Sequence, residues 1–227
     1  MKIYRSLLTI TTALSLLLSP IANAYSVVSS VEDKIVDFVY STVDTVRYTA
    51  YKMGGSRFDP RKGVYILDCS SYVGEILRNV SPHAFLNLVR SKGSTNPNTV
   101  LYYDFFSNLS RNNPYWNKVN HIKELRPGDI IVFRYKKHKH AQTRGHIMVV
   151  MEKPIQKSNS YKILVSDAAP IRHSDDTRSK YKSGIGVGTV LIKENPQTGQ
   201  PAAYAWQMGS RWRKNVQFAM ARPKDTV

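Results

Sequence analysis

A chain of 227 residues with 33 Lys and Arg against 16 Asp and Glu, and a single cysteine, is long enough to bury a core as one domain and cannot staple itself with an internal disulfide. Its net charge of +17 creates a positive field that concentrates anionic partners, although a basic surface serving solubility accounts for the charge equally well. Nothing after residue 24 is apolar over the roughly 20 residues that a membrane-spanning helix needs.

At the start of the chain, Lys2 and Arg5 form a basic region and Leu7 to Leu18 an apolar stretch of 12 residues interrupted by Thr9, Thr11, Thr12 and Ser15. Ala22-Asn23-Ala24 follows as a small-x-small cleavage site. The pattern predicts an export signal over residues 1–24, cleaved after Ala24, with no lipid anchor because no cysteine stands at the cleavage point. Removing Lys2 and Arg5 leaves 31 basic against 16 acidic residues, a net +15. The expected destination is periplasmic or extracellular. The anionic partners there are cell-wall polymers, lipopolysaccharide, anionic lipid and extracellular nucleic acid, of which nucleic acid is the least expected.

Val31, Ile35, Val39, Val43, Val46 and Ala50 recur at helical spacing, and Ser29 with Glu32 has the form of a capping box, predicting a helix from Ser29 to Ala50. Met53-Gly54-Gly55 and a polar loop through Pro60 and Gly63 lead to Asp68-Cys69-Ser70-Ser71-Tyr72-Val73, which opens a second helix with Asn79 as its stop. Ser81-Pro82 starts a third helix. Residues 91–99 read as loop, and Leu101 to Trp116 is an aromatic-dense stretch of no decided structure, its rings assigned to packing. Beyond Leu125 short apolar runs alternate with turns: Ile130 to Tyr135, Gly145 to Glu152, Tyr161 to Ala168, Ile185 to Lys193, Ala203 to Met208 and Val216 to Ala221 read as strands. Helices first and a strand meander afterwards predict an α+β fold in one domain over residues 25–227.

Cys69 carries the chemistry. The reactive species of a cysteine is the thiolate, and the unpaired N–H groups of a helix start favour negative charge there. Such a nucleophile needs a base and a group to orient that base. His146 is the candidate base, since it opens the strand His146-Ile147-Met148-Val149-Val150, whose other residues are all apolar, so that it stands where core meets solvent. Taken by itself, His146 also reads as a core histidine satisfied by a backbone carbonyl. Asp167 is the candidate orienter: if the strands 145–152 and 161–168 pair with His146 opposite Asp167, Val150 meets Ile163, Met148 meets Val165, and the turn centres between Gln156 and Lys157. His173, outside the strand, is the rival orienter.

These segments together resemble the NlpC-type cell-wall cysteine peptidases. Asp68-Cys69-Ser70-Ser71-Tyr72 matches that family's Asp-Cys-Ser-Gly-aromatic helix start, Arg126-Pro127-Gly128-Asp129-Ile130 its Pro-Gly-Asp turn, and Gly145-His146-Ile147 its Gly-His strand. Asp167-Ala168 matches its third polar residue, and Tyr51-Lys52-Met53-Gly54-Gly55 its upstream Tyr-x-x-Gly-Gly segment. The resemblance spans residues 51–168. It implies a papain-like fold with N-terminal helices packed on an antiparallel sheet, a Cys69–His146 dyad, and hydrolysis of amide bonds in peptidoglycan stem peptides without a metal or other cofactor. It further implies that Tyr51 lies beside the thiol, where its hydroxyl contacts the oxyanion or the substrate. Ser71 replaces the usual glycine, Asp167 stands where histidine is commonest, residues 78–124 form an insertion, and the strands beyond residue 170 form an extension.

His138, His140 and His146, with Asp175 and Asp176, offer an alternative metal site, but Lys136, Lys137 and Lys139 interleave with the histidines and repel a cation. Gly184, Gly186 and Gly188 alternate along a strand, which suits close approach of another element rather than a phosphate loop. The leading functional expectation is an exported, monomeric cysteine peptidase or amidase bound to peptidoglycan or another anionic surface polymer. Two others compete with it: an acyltransferase or hydrolase of another amide or ester, as in an effector or toxin, and a non-catalytic basic module that binds cell wall or nucleic acid.

Overall fold

The computed structural model of the protein describes residues 29–136 and 145–224. The segment read as an export signal and the histidines at 138 and 140 lie outside these residues. Helix α1 (Val31–Asp44) is capped by Ser30, whose hydroxyl accepts the Asp33 N–H at 3.1 Å, one residue later than the expected Ser29 cap. It buries Val31, Ile35 and Val39 of the predicted stripe, with Thr42 rather than Val43 as the fourth buried residue.

The helix ends at Asp44, well short of Ala50. Tyr48–Tyr51 instead form strand β1, and the region expected to be loop contains β2 (Ser56–Asp59) and β3 (Val64–Leu67). Helical spacing in Val46 and Ala50 loses to tertiary pairing: β1 lies parallel to β3, with Tyr48 opposite Val64 and Tyr51 opposite Leu67, and β2 pairs antiparallel on the other side of β3. The β-branched and aromatic residues of β1 suit this small sheet.

Helices α2 (Cys69–Val80), α3 (Pro82–Lys92) and α4 (Thr99–Ser107) follow. The undecided aromatic stretch thus becomes α4 and, after a loop, strand β4 (Trp116–Val119). Tyr102, Phe105, Phe106 and Trp116 are buried together, and the Trp116 indole N–H, its only polar group, donates to the Ala84 carbonyl at 2.9 Å.

The main sheet adds β5 (Ile130–Tyr135), β6 (Gly145–Val150), β7 (Ile155–Lys157), β8 (Ser160–Ala169), β9 (Gly184–Glu194), β10 (Pro201–Ala205) and β11 (Val216–Pro223). Its order is β10-β9-β8-β6-β5-β11-β4, with β7 paired to β8, and every pairing is antiparallel. Among the described residues, four α-helices and two sheets make the protein α+β, as expected. One core cluster joins the helices to Val132, Ile147 and Val149; another, on the opposite side of the same strands, holds Ile131, Phe133, Met148 and Val150. The sheet also folds back on itself. Tyr204 of β10 stacks on Phe133 of β5 with ring centroids 4.3 Å apart, although these strands are not neighbours.

The expected register between β6 and β8 is wrong by two residues: Val149 faces Ser166 and Val150 faces Val165. The turn also moves, because Lys157 pairs with Ser160 and leaves Ser158-Asn159 at the tip. Residues 151–154 break the ladder between β6 and β7, so the hairpin holds more chain than a continuous pairing would. An even shift preserves the strand faces, so His146 and Asp167 remain on one side.

Candidate active site

The candidate nucleophile, Cys69, stands where β3 runs into α2. Asp68 caps α2 with extended backbone (φ −90°, ψ 175°), and its Oδ1 accepts the Ser71 N–H at 2.7 Å and the Ser70 hydroxyl at 2.9 Å. Its Oδ2 accepts the Gly54 N–H at 2.9 Å. Gly54 has φ +68°, a conformation for which glycine is suited, so Asp68 clamps the turn after β1 to the helix start. Parallel pairing sets Tyr51 opposite Leu67, two residues before Cys69. Cys69 is the first residue of α2 and is 4% exposed. Tyr72, on the same helix, exchanges a 2.9 Å hydrogen bond with Ser166, locking α2 to β8 one residue before Asp167.

His146 is the second residue of β6. Gly145 before it has φ +152°, and a Cβ there would lie 1.8 Å from the Phe133 carbonyl oxygen, so the strand enters too close to β5 for any side chain at that position. His146 Nε2 donates to Asp167 Oδ2 at 2.6 Å, which leaves Nδ1 as the nitrogen available to Cys69. Burial alone would lower the His146 pKa. The charge of Cys69, the Asp167 hydrogen bond and charge, and a side-chain hydrogen bond with Cys69 outweigh burial and push it up to about 10.

Asp167 is fully buried at the centre of a charged knot. His173, the rival orienter, does not replace Asp167: its Nε2 donates to the same Oδ2 at 2.7 Å. The other ring nitrogen of His173 faces the Trp206 carbonyl oxygen at 3.2 Å, so both nitrogens face acceptors. Arg178 Nη2 forms an ion pair with Asp167 Oδ1 at 3.0 Å without the alignment of a hydrogen bond, and Oδ1 has no hydrogen bond among the described residues. Arg178 instead grips Asp176 through Nε at 2.9 Å and Nη2 at 2.7 Å, and donates to the Gly184 carbonyl at 2.8 Å. Burial opposes ionisation of Asp167, yet His173, Arg178 and His146 hold its carboxyl well below the usual carboxylate range.

The alternating glycines of β9 make room for this knot. A Cβ at Gly186 would lie 2.7 Å from the Arg178 side chain, and one at Gly188 2.7 Å from Asp176 Oδ2. Asp176, named above as a possible metal ligand, is thereby committed to Arg178. Among the described residues, no group of three or more metal-ligating side chains is assembled.

Beside His146 opens a cavity of about 510 Å³ walled by Tyr51, Phe133, Tyr135, Tyr204 and Trp206, with Arg213 contributing the one arginine. The Trp206 ring stands edge-on to His146 at 4.9 Å and lies 4.3 Å from His173. Tyr51 is half-buried in this wall. Burial, then the negative charges of Cys69, Asp68 and Asp167, push its phenol pKa up, so it remains a hydrogen-bond donor.

The five sequence candidates, Tyr51, Cys69, His146, Asp167 and His173, therefore converge. Arg178, Trp206 and Thr99 are absent from the sequence reading, and Asp176 enters it only as a possible metal ligand. Thr99, at the start of α4, places its Oγ1 3.8 Å from Cys69 Sγ. The glycine alternation signalled a close approach on β9 without saying what approaches. For Trp206 and Thr99 no local signal exists, since each reaches the site from an element remote in sequence. Comparison with family models, curated proteins and solved structures finds no match to the chain.

Proposed function

We propose that the protein is an exported cysteine hydrolase of the NlpC type, with a papain-like arrangement, that cleaves amide bonds in peptidoglycan stem peptides. The observation that carries this reading is the convergence at one site of a cysteine at a helix start, a buried histidine beside it, and a carboxylate 2.6 Å from that histidine. The net charge of +15 without residues 1–24 suits retention on an anionic polymer, and the aromatic cavity beside His146 offers a substrate site.

In this mechanism the Cys69 thiolate attacks the carbonyl carbon, forming a C–S bond and an oxyanion. The Cys69 backbone N–H and the Tyr51 hydroxyl are the donors available to that oxygen. Protonated His146 gives its Nδ1 proton to the leaving nitrogen as the C–N bond breaks, while Asp167 holds the ring through Nε2. Neutral His146 then takes a proton from water, whose oxygen attacks the thioester. The C–S bond breaks, releasing the acid and restoring the ion pair.

The test is digestion of purified peptidoglycan by wild type beside Cys69→Ala, with soluble products identified by mass. Stem-peptide fragments from wild type alone are expected, and their masses name the bond. Absence of fragments, with Cys69 readily alkylated, would remove peptidoglycan and leave a nucleophile for another acyl substrate, including transfer to an acceptor other than water.

A further inference from the structure

Cys69 has a second polar neighbour besides His146, and it comes from the segment between residues 78 and 124 that the peptidase resemblance treats as an insertion. Thr99 Oγ1 lies 3.8 Å from Cys69 Sγ, a long contact suited to the large radius of sulfur. Both residues are buried. Among the described residues the sulfur is the sole hydrogen-bond partner of the Thr99 hydroxyl, and a buried hydroxyl is rarely left without one.

Position explains why this hydroxyl turns to sulfur. Thr42, inside α1, donates to the carbonyl four residues earlier, Phe38, at 2.7 Å. Thr99 is the first residue of α4, where no preceding helical turn supplies such a carbonyl. The helix start is itself fixed: Asn98 Oδ1 accepts the Val100 and Leu101 N–H groups at 3.0 and 3.1 Å, and the Tyr102, Phe105 and Phe106 rings anchor the turns behind it. A β-branched side chain on so rigid a base has few rotamers in which to lose the contact.

We propose that Thr99 is a catalytic residue whose hydroxyl donates a hydrogen bond to the Cys69 thiolate, holding the sulfur between itself and the His146 ring. The inserted helix α4 is then a part of the reaction centre. The inference rests on the reading of Cys69 as the nucleophile, but not on the identity of the substrate.

The experiment is the pH dependence of Cys69 alkylation by iodoacetamide in the full-length mature protein, which requires no natural substrate. In Thr99→Val, close in shape and without the hydroxyl, the rate at pH 7 should fall about three- to tenfold, the worth of one hydrogen bond, and the profile should move to higher pH. Thr99→Ser should restore the wild-type profile. If Thr99→Val does not fold, Thr99→Ala beside Thr99→Ser makes the same comparison. An unchanged profile without the hydroxyl would overturn the proposal, and so would lost peptidoglycan turnover with unchanged alkylation, which would make Thr99 an oxyanion donor instead. A shifted profile in a protein that leaves peptidoglycan intact would uphold Thr99 and retire the stem-peptide substrate.

Discussion

Asp129 and Asp167 are both fully buried carboxylates paired with an arginine, yet their surroundings assign them opposite work. Asp129 ends the Pro-Gly-Asp turn. Arg222 binds it through Nε to Oδ1 at 2.7 Å and Nη2 to Oδ2 at 2.8 Å, and the Arg126 N–H adds a bond at 2.8 Å. Burial pushes its carboxyl up, and Arg222 and the Arg126 N–H offset this only in part. Asp167 has a looser guanidinium, but two imidazoles share one of its oxygens, and together these three groups overcome burial. A buried carboxylate with one fixed cation closes a turn. One with a titrating ring between it and a thiol can stabilise charge as a reaction proceeds.

The largest expected effect separates the two directly. Asp167→Asn should reduce turnover about 10³- to 10⁴-fold, because an amide neither fixes the His146 tautomer nor stabilises its charge. Asp129→Asn should leave turnover per folded molecule within about twofold while costing about 2 kcal/mol of stability, the worth of the charge-assisted bonds lost, since Arg222 keeps the Glu124 carbonyl and the Glu32 carboxylate. Steady-state rates with denaturant melts on both variants make the comparison, and equal losses of turnover would abolish the distinction drawn here.

Next in size is the alkaline limit of the rate. His146 must carry a proton to release the leaving amine, and its pKa is about 10. Turnover should therefore hold through neutral pH and then fall about tenfold per pH unit above that value. A fall near pH 7 would show that Cys69 and Asp167 do not support the imidazolium. His173→Asn should cost roughly tenfold in rate, less than Asp167→Asn, since Asp167 keeps Arg178 and His146 after the change. The reverse order would make His173 the residue that orients the base.

The smallest effect lies in acid. The pKa of Asp167 is lowered on folding, so the unfolded chain takes up the proton first, and the stabilisation from this group is present above about pH 4 and lost as pH falls through its folded value. Melting temperature against pH should consequently fall less steeply below about pH 4 in Asp167→Asn than in wild type. Parallel curves would mean that these three groups do not act on the carboxylate.

What the residues reveal before folding follows the range of each interaction. Asp68 caps the helix through Ser71, three residues ahead, and Gly145 meets the adjacent strand, so the candidate nucleophile and base sit in local patterns. The choice between Asp167 and His173 is not, because the two belong to one knot closed by Arg178 and seated on Gly186 and Gly188. For a related reason the helical spacing of Val46 and Ala50 does not predict strand β1, whose deciding hydrogen bonds come from β3.

By itself the sequence determined the α+β class, the helix start that presents Cys69 and the apolar strand that carries His146 at its entry. These depend on hydrogen bonds and periodicities spanning a few residues. Only the tertiary structure decided the two-residue register shift, the sharing of one Asp167 oxygen by two histidines, and the arrival of Thr99 at the sulfur. Each depends on pairing between segments far apart in the chain. Their relative placement is set by how the whole core packs, and no local propensity encodes it.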